Sequence, residues 1–115
     1  ALAAGPYDTL VIRGATIITG NGGPPYGPAD IIINGGRITD IRSAGTPGLP
    51  MRTNRPPAGA SREIDATGMY VLPGFVDMHG HQGDIFKMND PDYAWALWLA
   101  QGVTTVRGNP LYGGD

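Results

Sequence analysis

The stretch Val71-Leu72-Pro73-Gly74-Phe75-Val76-Asp77-Met78-His79-Gly80-His81 constrains this chain more than any other. Pro73 and Gly74 punctuate the backbone. Residues 75–78 then read as a short, largely apolar strand that carries one acid and runs into the chain's only two histidines. In an extended segment side chains alternate faces, so His79 and His81 project to one side with Asp77 beneath them in the same row. Two imidazoles on one face can ligate one metal ion. Gly80 between them adds no side chain to the opposite face and lets the backbone bend at the strand's end. A bare His-x-His is a weak signal, equally compatible with two polar residues in a surface turn. The strand and the Pro-Gly pair before it, with an acid two residues ahead, make this instance specific.

Beyond the histidines the chain reads as a loop, then a helix expected over residues 91–101. Asp90 is a good N-cap, Pro91 suits the first helical position, and Gly102 stands where a left-handed C-terminal residue is expected. Tyr93, Ala94, Trp95, Ala96, Leu97, Trp98, Leu99 and Ala100 make this helix apolar almost all round, so it requires cover on two sides. Trp95 and Trp98 read as packing residues rather than as an aromatic binding face. Val103-Thr104-Thr105-Val106-Arg107 is the next strand, and residues 75–107 form one strand, helix, strand unit with parallel strands.

Upstream, residues 8–12 and 15–19 are rich in β-branched side chains and predict two short strands separated by Arg13-Gly14. A third strand is expected over 29–33, and Asn34-Gly35-Gly36 is a hairpin signal, because these residues tolerate the positive φ of a tight primed turn. A fourth strand over 37–41 departs from alternation near Asp40, which predicts a twist or bulge there. Residues 45–60, with Pro47, Pro50, Pro56 and Pro57, exclude a central strand or helix and read as an exposed excursion. Residues 62–65 and 69–72 recover strand character around an Ala66-Thr67-Gly68 turn and would complete a small β-sandwich with the earlier strands. The glycines between 20 and 27 lack the strand, turn and helix setting of a nucleotide loop.

Pro73-Gly74-Phe75-Val76-Asp77-Met78-His79-Gly80-His81 resembles the first-strand signature of the amidohydrolase superfamily. Tyr7-Asp8-Thr9-Leu10-Val11-Ile12-Arg13-Gly14-Ala15, Ile31-Ile32-Ile33-Asn34-Gly35-Gly36-Arg37-Ile38 and Ile64-Asp65-Ala66-Thr67-Gly68 resemble the first part of the small β-sandwich that members commonly carry. Gln101-Gly102-Val103-Thr104-Thr105-Val106-Arg107 looks like the second-strand text, and with Trp98-Leu99-Ala100 it is nearest to imidazolonepropionase-like and Xaa-Pro dipeptidase-like members. The resemblance implies a β-sandwich plus a (β/α)8 barrel, of which residues 1–72 are the amino-terminal part of the sandwich. Residues 73–115 are then the first strand-helix-strand unit of the barrel. A complete barrel needs about 250 residues, so 115 residues make an incomplete one, mostly β with one helix.

The same resemblance implies hydrolysis of an amide, peptide or cyclic C-N bond by metal-activated water. The cofactor is a divalent metal, usually zinc, as one or two ions, with His79 and His81 on the more buried ion. Other ligands in the family come from later strands: a bridging carboxylate that is often a carboxylated lysine, two more histidines, and the aspartate that serves as general base. None of those positions falls in these residues, and two ligands do not hold zinc in a closed site. The chain alone is therefore expected to be inactive. The partners it implies are a small-molecule amide or peptide substrate and the remainder of the polypeptide, or partner chains in an oligomer, to complete the barrel. A reading from another class is a non-catalytic structural or assembly module built from such a fragment.

Within this frame Asp77 is either an acceptor that orients a ligating imidazole or an acid satisfying nearby backbone. Asp84 and Lys87 in the following loop read as solvated residues, and Arg107 as a strand-end arginine on the side where barrel enzymes place their chemistry. Net charge is -2 with 16% charged residues, which argues against nucleic acid or a polybasic membrane patch as partner. No apolar run approaches a membrane span. Cysteine is absent, which removes disulfides and thiolate ligands and leaves the redox compartment open. Ala1-Leu2-Ala3-Ala4 resembles the small-residue end of a cleaved export signal and equally a frayed terminus.

Overall fold

The computed structural model describes residues 5–80 and 91–108, the side chains of Pro91 and Asp92 excepted. Residues 1–4, with their signal-like composition, lie outside that range, as do His81, Asp84, Lys87 and the N-cap candidate Asp90. The chain divides into two units, Ala1–Pro73 and Gly74–Asp115, and is mostly β with one helix among the described residues.

In the first unit, β1 (Thr9–Ile17) is the strand on which the others assemble. It does not break at Arg13-Gly14 as the sequence suggests. Ile12 pairs with Ile31 and Ala15 with Ala29 on β2 (Tyr26–Asn34), so Arg13 and Gly14 together oppose Asp30 in a bulge. Gly14 takes up the extra residue at φ +75, a conformation that glycine adopts without steric cost. The bulge leaves polar groups to satisfy, and Asp30, 2% exposed, satisfies them. Its Oδ1 accepts the Gly14 N–H at 2.9 Å and Arg55 Nη1 at 2.9 Å, while Oδ2 accepts Arg13 Nη1 at 3.1 Å.

The hairpin falls where Asn34-Gly35-Gly36 places it. Gly35 (φ +54) and Gly36 (φ +78) form the two-residue loop into β3 (Arg37–Ser43), and both φ values are positive as a type I′ turn requires. Ile32 pairs with Asp40 but Ile33 with Ile38, so the expected irregularity is real and sits at Thr39, beside Asp40.

Strands β4 (Arg62–Asp65) and β5 (Tyr70–Val71) do not build a second layer. Both pair parallel to β1 along its other edge, β4 with residues 10–13 and β5 with residues 16–17, which gives one five-stranded sheet of order β3-β2-β1-β4 with β5 also on β1. The physical reason is the free edge of β1, whose unpaired ladder groups demand partners. The long connection over 44–61 lets the chain cross over and return parallel.

That connection is exposed at most of its positions, as its prolines suggest, yet it is tied to the sheet. Arg52 N–H bonds Ala44 O at 2.8 Å, and Arg13 donates from Nη1 to Arg55 O at 2.8 Å and from Nη2 to Pro57 O at 2.6 Å. The loop therefore lies over the sheet face that carries Arg13 and Asp30. Directly paired residues share a face, so the opposite face collects Leu10, Ile12, Ile31, Ile33, Ile38, Ile41 and Ile64. Its centre, with Ile17, Ala29 and Ile31, is buried. Its margins are not: Ile38, Ile41 and Ile64 are 64%, 40% and 41% exposed.

The second unit is β6 (Phe75–Gly80), α1 (Pro91–Ala100) and β7 (Val103–Gly108), with the two strands parallel. Gly102 ends the helix at φ +83 and donates to Leu99 O at 3.0 Å, the left-handed cap its position predicts. Tyr93, Trp95, Leu97 and Leu99 are exposed large apolar residues on this helix, and Trp95 and Trp98 meet edge to face with centroids 5.1 Å apart. No helix of the described residues is long and apolar enough to cross a membrane.

Candidate metal centre

The strand that presents His79 is held close to its neighbour by two glycines. A Cβ on Gly74 would lie 2.0 Å from Thr104 Oγ1, and one on Gly80 would lie 2.2 Å from Val106 Cγ1 and 3.1 Å from Trp98 Cζ2. Glycine at these positions lets β7 and the helix approach β6 more closely than any side chain would permit. The Phe75 N–H bonds Gly102 O at 2.8 Å and fixes the amino end of the strand.

At the carboxyl end the register slips. Asp77 pairs with Val106 and Gly80 with Gly108, so Met78 and His79 together oppose Arg107. A bulge at this point re-aims side chains and interrupts the strict alternation on which Asp77 and His79 would share one row. Asp77 serves the bulge directly: its Oδ1 accepts the backbone N–H of His79 at 2.9 Å. Of the two roles open to this acid, that bond is the one that satisfies backbone. His79 is exposed at the strand's end and, with Met78, Arg107 and Gly108, lines a cleft of about 340 Å³.

Among the described residues no three His, Cys, Asp or Glu side chains converge as a metal cluster. His79 contributes one imidazole, a nitrogen donor that suits zinc, and His81 lies outside the described range. A larger cavity of about 580 Å³ in the sheet unit is lined by residues such as Tyr26, Met51 and Thr67, with no carboxylate or imidazole among the described residues that line it. The described imidazole lies at the smaller cleft on β6 and β7, while Asp30 of the sheet unit is taken up by Arg13, Arg55 and the Gly14 N–H. Sequence reasoning misses the buried Asp30 and its partner Arg55, although an acid heading the Ile31-Ile32-Ile33 run is a signal that a buried partner exists.

No protein-family model matches the chain. Curated proteins align over most of it, among them a deacylase and a hydantoinase. An N-acyl-D-glutamate deacylase of Alcaligenes xylosoxydans xylosoxydans is 38% identical over 97 residues, which are 84% of this chain and 17% of that protein. A D-hydantoinase of Rhizobium radiobacter is 42% identical over 101 residues, 84% of this chain and 19% of that protein. The chain belongs to the amidohydrolase superfamily. It spans less than a quarter of the length of these relatives. The crystal structure of an amidohydrolase from Bordetella bronchiseptica, an N-acyl-D-glutamate deacylase complexed with zinc and a phosphonate inhibitor, superposes with a TM-score of 0.59 at 37% identity. That match covers 87% of this chain and 18% of the other. The narrower resemblance has a counterpart in a Xaa-Pro dipeptidase structure, at 25% identity and a TM-score of 0.56 over 87% of this chain and 26% of the other.

Proposed function

We propose that these residues are the amino-terminal part of a metal-dependent amidohydrolase that cleaves an amide, peptide or cyclic C-N bond. The observation that carries the reading is the 38% identity to a deacylase across 84% of the chain, in a chain whose β6 carries the exposed His79 one residue before its end. In the complete enzyme, residues 1–72 belong to a β-sandwich and residues 73–115 open a (β/α)8 barrel. The exposed apolar side chains of α1 and the outer edges of β6 and β7, which pair with no other described strand, support that assignment, since parallel strands are ordinarily covered on both faces. The remainder of the polypeptide supplies that cover and the rest of the site.

His79 and His81 hold a divalent ion, zinc in the first instance, as one ion or as one of two. A bound ion of this kind polarises the scissile carbonyl and lowers the pKa of the attacking water toward about 7. The work of this segment is to present the two imidazoles. The Asp77 carboxylate holds the backbone N–H of His79, and Gly80 lets Trp98 and Val106 pack directly beneath the strand. The general base and the remaining ligands come from residues outside this segment.

The test is made on the complete protein. Purified enzyme is assayed for bound metal by mass spectrometry and for hydrolysis of N-acyl amino acids, dipeptides and hydantoins, beside a His79→Ala, His81→Ala double variant. Loss of both metal and hydrolysis in the variant is expected. Metal content equal to the parent's would remove the ligand assignment, and a metal-loaded parent that cleaves none of the three classes would remove the activity.

A further inference from the structure

Arg107 stands on β7 opposite the Met78–His79 bulge and lines the same cleft of about 340 Å³ as His79. Three of the chain's other six arginines are committed to acids, Arg13 and Arg55 to Asp30 and Arg42 to Asp40. Arg107 is exposed and makes no hydrogen bond or ion pair with another described residue. No acid is among the described residues that line its cleft. A guanidinium is planar, permanently charged and weakly hydrated, and its forked donors match the two oxygens of a carboxylate. Neighbouring strands lie about 4.8 Å apart, so a group held at the end of β6 and an anion held at the end of β7 fall within one small molecule.

We propose that Arg107 is a substrate-binding residue that selects amides bearing a carboxylate beside the scissile bond over neutral amides. The proposal rests on the amidohydrolase reading above and adds its substrate chemistry. Among the described residues that line the cleft, Met78, His79, Arg107 and Gly108, the arginine is the permanently charged one and the feature that distinguishes an anionic substrate from a neutral one of the same size. One carboxylate bound by a charge-assisted fork corresponds to a preference on the order of ten- to a hundredfold.

The experiment compares the complete metal-loaded enzyme with Arg107→Met and Arg107→Lys on N-acetylalanine and N-acetylalaninamide of both hands. These probes differ only in the carboxylate. The parent should favour the acid in kcat/KM. In Arg107→Met the loss on the acid should exceed the loss on the amide by about tenfold or more and fall mainly on KM, as uniform binding of a group that takes no part in the bond change requires. Arg107→Lys, which keeps the charge and loses the fork, should lie between. Metal content and melting temperature serve as controls for folding. Equal losses on both probes, or a parent with no preference for the acid, would overturn the proposal while leaving amide hydrolysis intact. A parent that cleaves neither these probes nor any other amide overturns the reading on which it rests, and the proposal with it.

Discussion

A methyl group on Gly80 would stand 2.2 Å from Cγ1 of Val106. The backbone at Gly80 has no positive φ, so the demand for glycine comes from packing alone, where β6 presses against Val106 and Trp98 directly after His79. Gly80→Ala should destabilise the complete protein by about 1–3 kcal/mol through overpacking and should lower bound metal. Val106→Ala removes the clashing Cγ1, so the double variant should recover most of the loss. Denaturant unfolding of the four proteins gives the coupling directly. Simple additivity of the two changes would show that the close approach is not what fixes glycine here.

Asp30 joins three donors from two parts of the chain: Gly14 N–H and Arg13 in the bulge of β1, and Arg55 in the loop. Asp30→Ala strands the Arg55 guanidinium and a backbone N–H and removes one of Arg13's acceptors, and breaking a buried pair from one side costs about 3–5 kcal/mol. Asp30→Asn keeps an acceptor and should cost distinctly less. Because Arg55 is the loop's side-chain anchor, cleavage by trypsin after Arg52 should also accelerate in Asp30→Ala. An unchanged cleavage rate would mean that Arg13's bonds to the carbonyls of Arg55 and Pro57 suffice to hold the loop.

Glu63 makes the same assembly sensitive to acid. The hydrogen bond it accepts from Arg13 holds its pKa below the ordinary glutamate value against the opposing effect of desolvation, with the charges of Arg13 and Arg55 adding to the shift. Arg13 is itself held above its usual range, first by Glu63, and stays charged throughout. A depressed carboxylate stabilises the folded state fully above the unfolded value of about 4.3 and loses that contribution as pH falls through the lower folded value. Thermal stability should therefore be flat down to about pH 5 with respect to this group and decline below it. Glu63→Gln should show a shallower decline over the same window. Parallel pH profiles for parent and variant would exclude Glu63 as a source.

How much of the fold can be read from residues alone depends on the range of the interaction. The hairpin at Gly35-Gly36, the helix closing at Gly102 and the irregularity beside Asp40 are decided by a few adjacent residues, and each is legible. Gly14 is legible as a special position but not as a bulge, because its meaning depends on Asp30 across the ladder. The parallel return of β4 and β5 onto β1 is not legible either, since alternation marks a strand's faces and says nothing about which edge it will join. In the candidate site, the pattern around His79 and His81 singles out the strand. The slip opposite Arg107, which turns Asp77 toward the backbone of His79, is a property of two strands together.

Apolar side chains that stand in water in the 115-residue segment should drive it to associate. Ile38, Ile41 and Ile64 lie on the margins of one apolar sheet face, and Tyr93, Leu97 and Leu99 stand exposed on a helix with no polar side. Full burial of such a side chain is worth about 1.5–3 kcal/mol, so several in concert favour association over solvation even after ordering costs. In the complete enzyme the remaining polypeptide would bury them. The excised segment of residues 1–115 should therefore sediment as species larger than its 12.0 kDa mass, growing with concentration. Replacing Ile38, Leu97 and Leu99 with glutamate should shift it toward the monomer, because each charge makes burial at a contact unfavourable. A parent segment that sediments at 12.0 kDa across the micromolar range would show that these side chains need no cover.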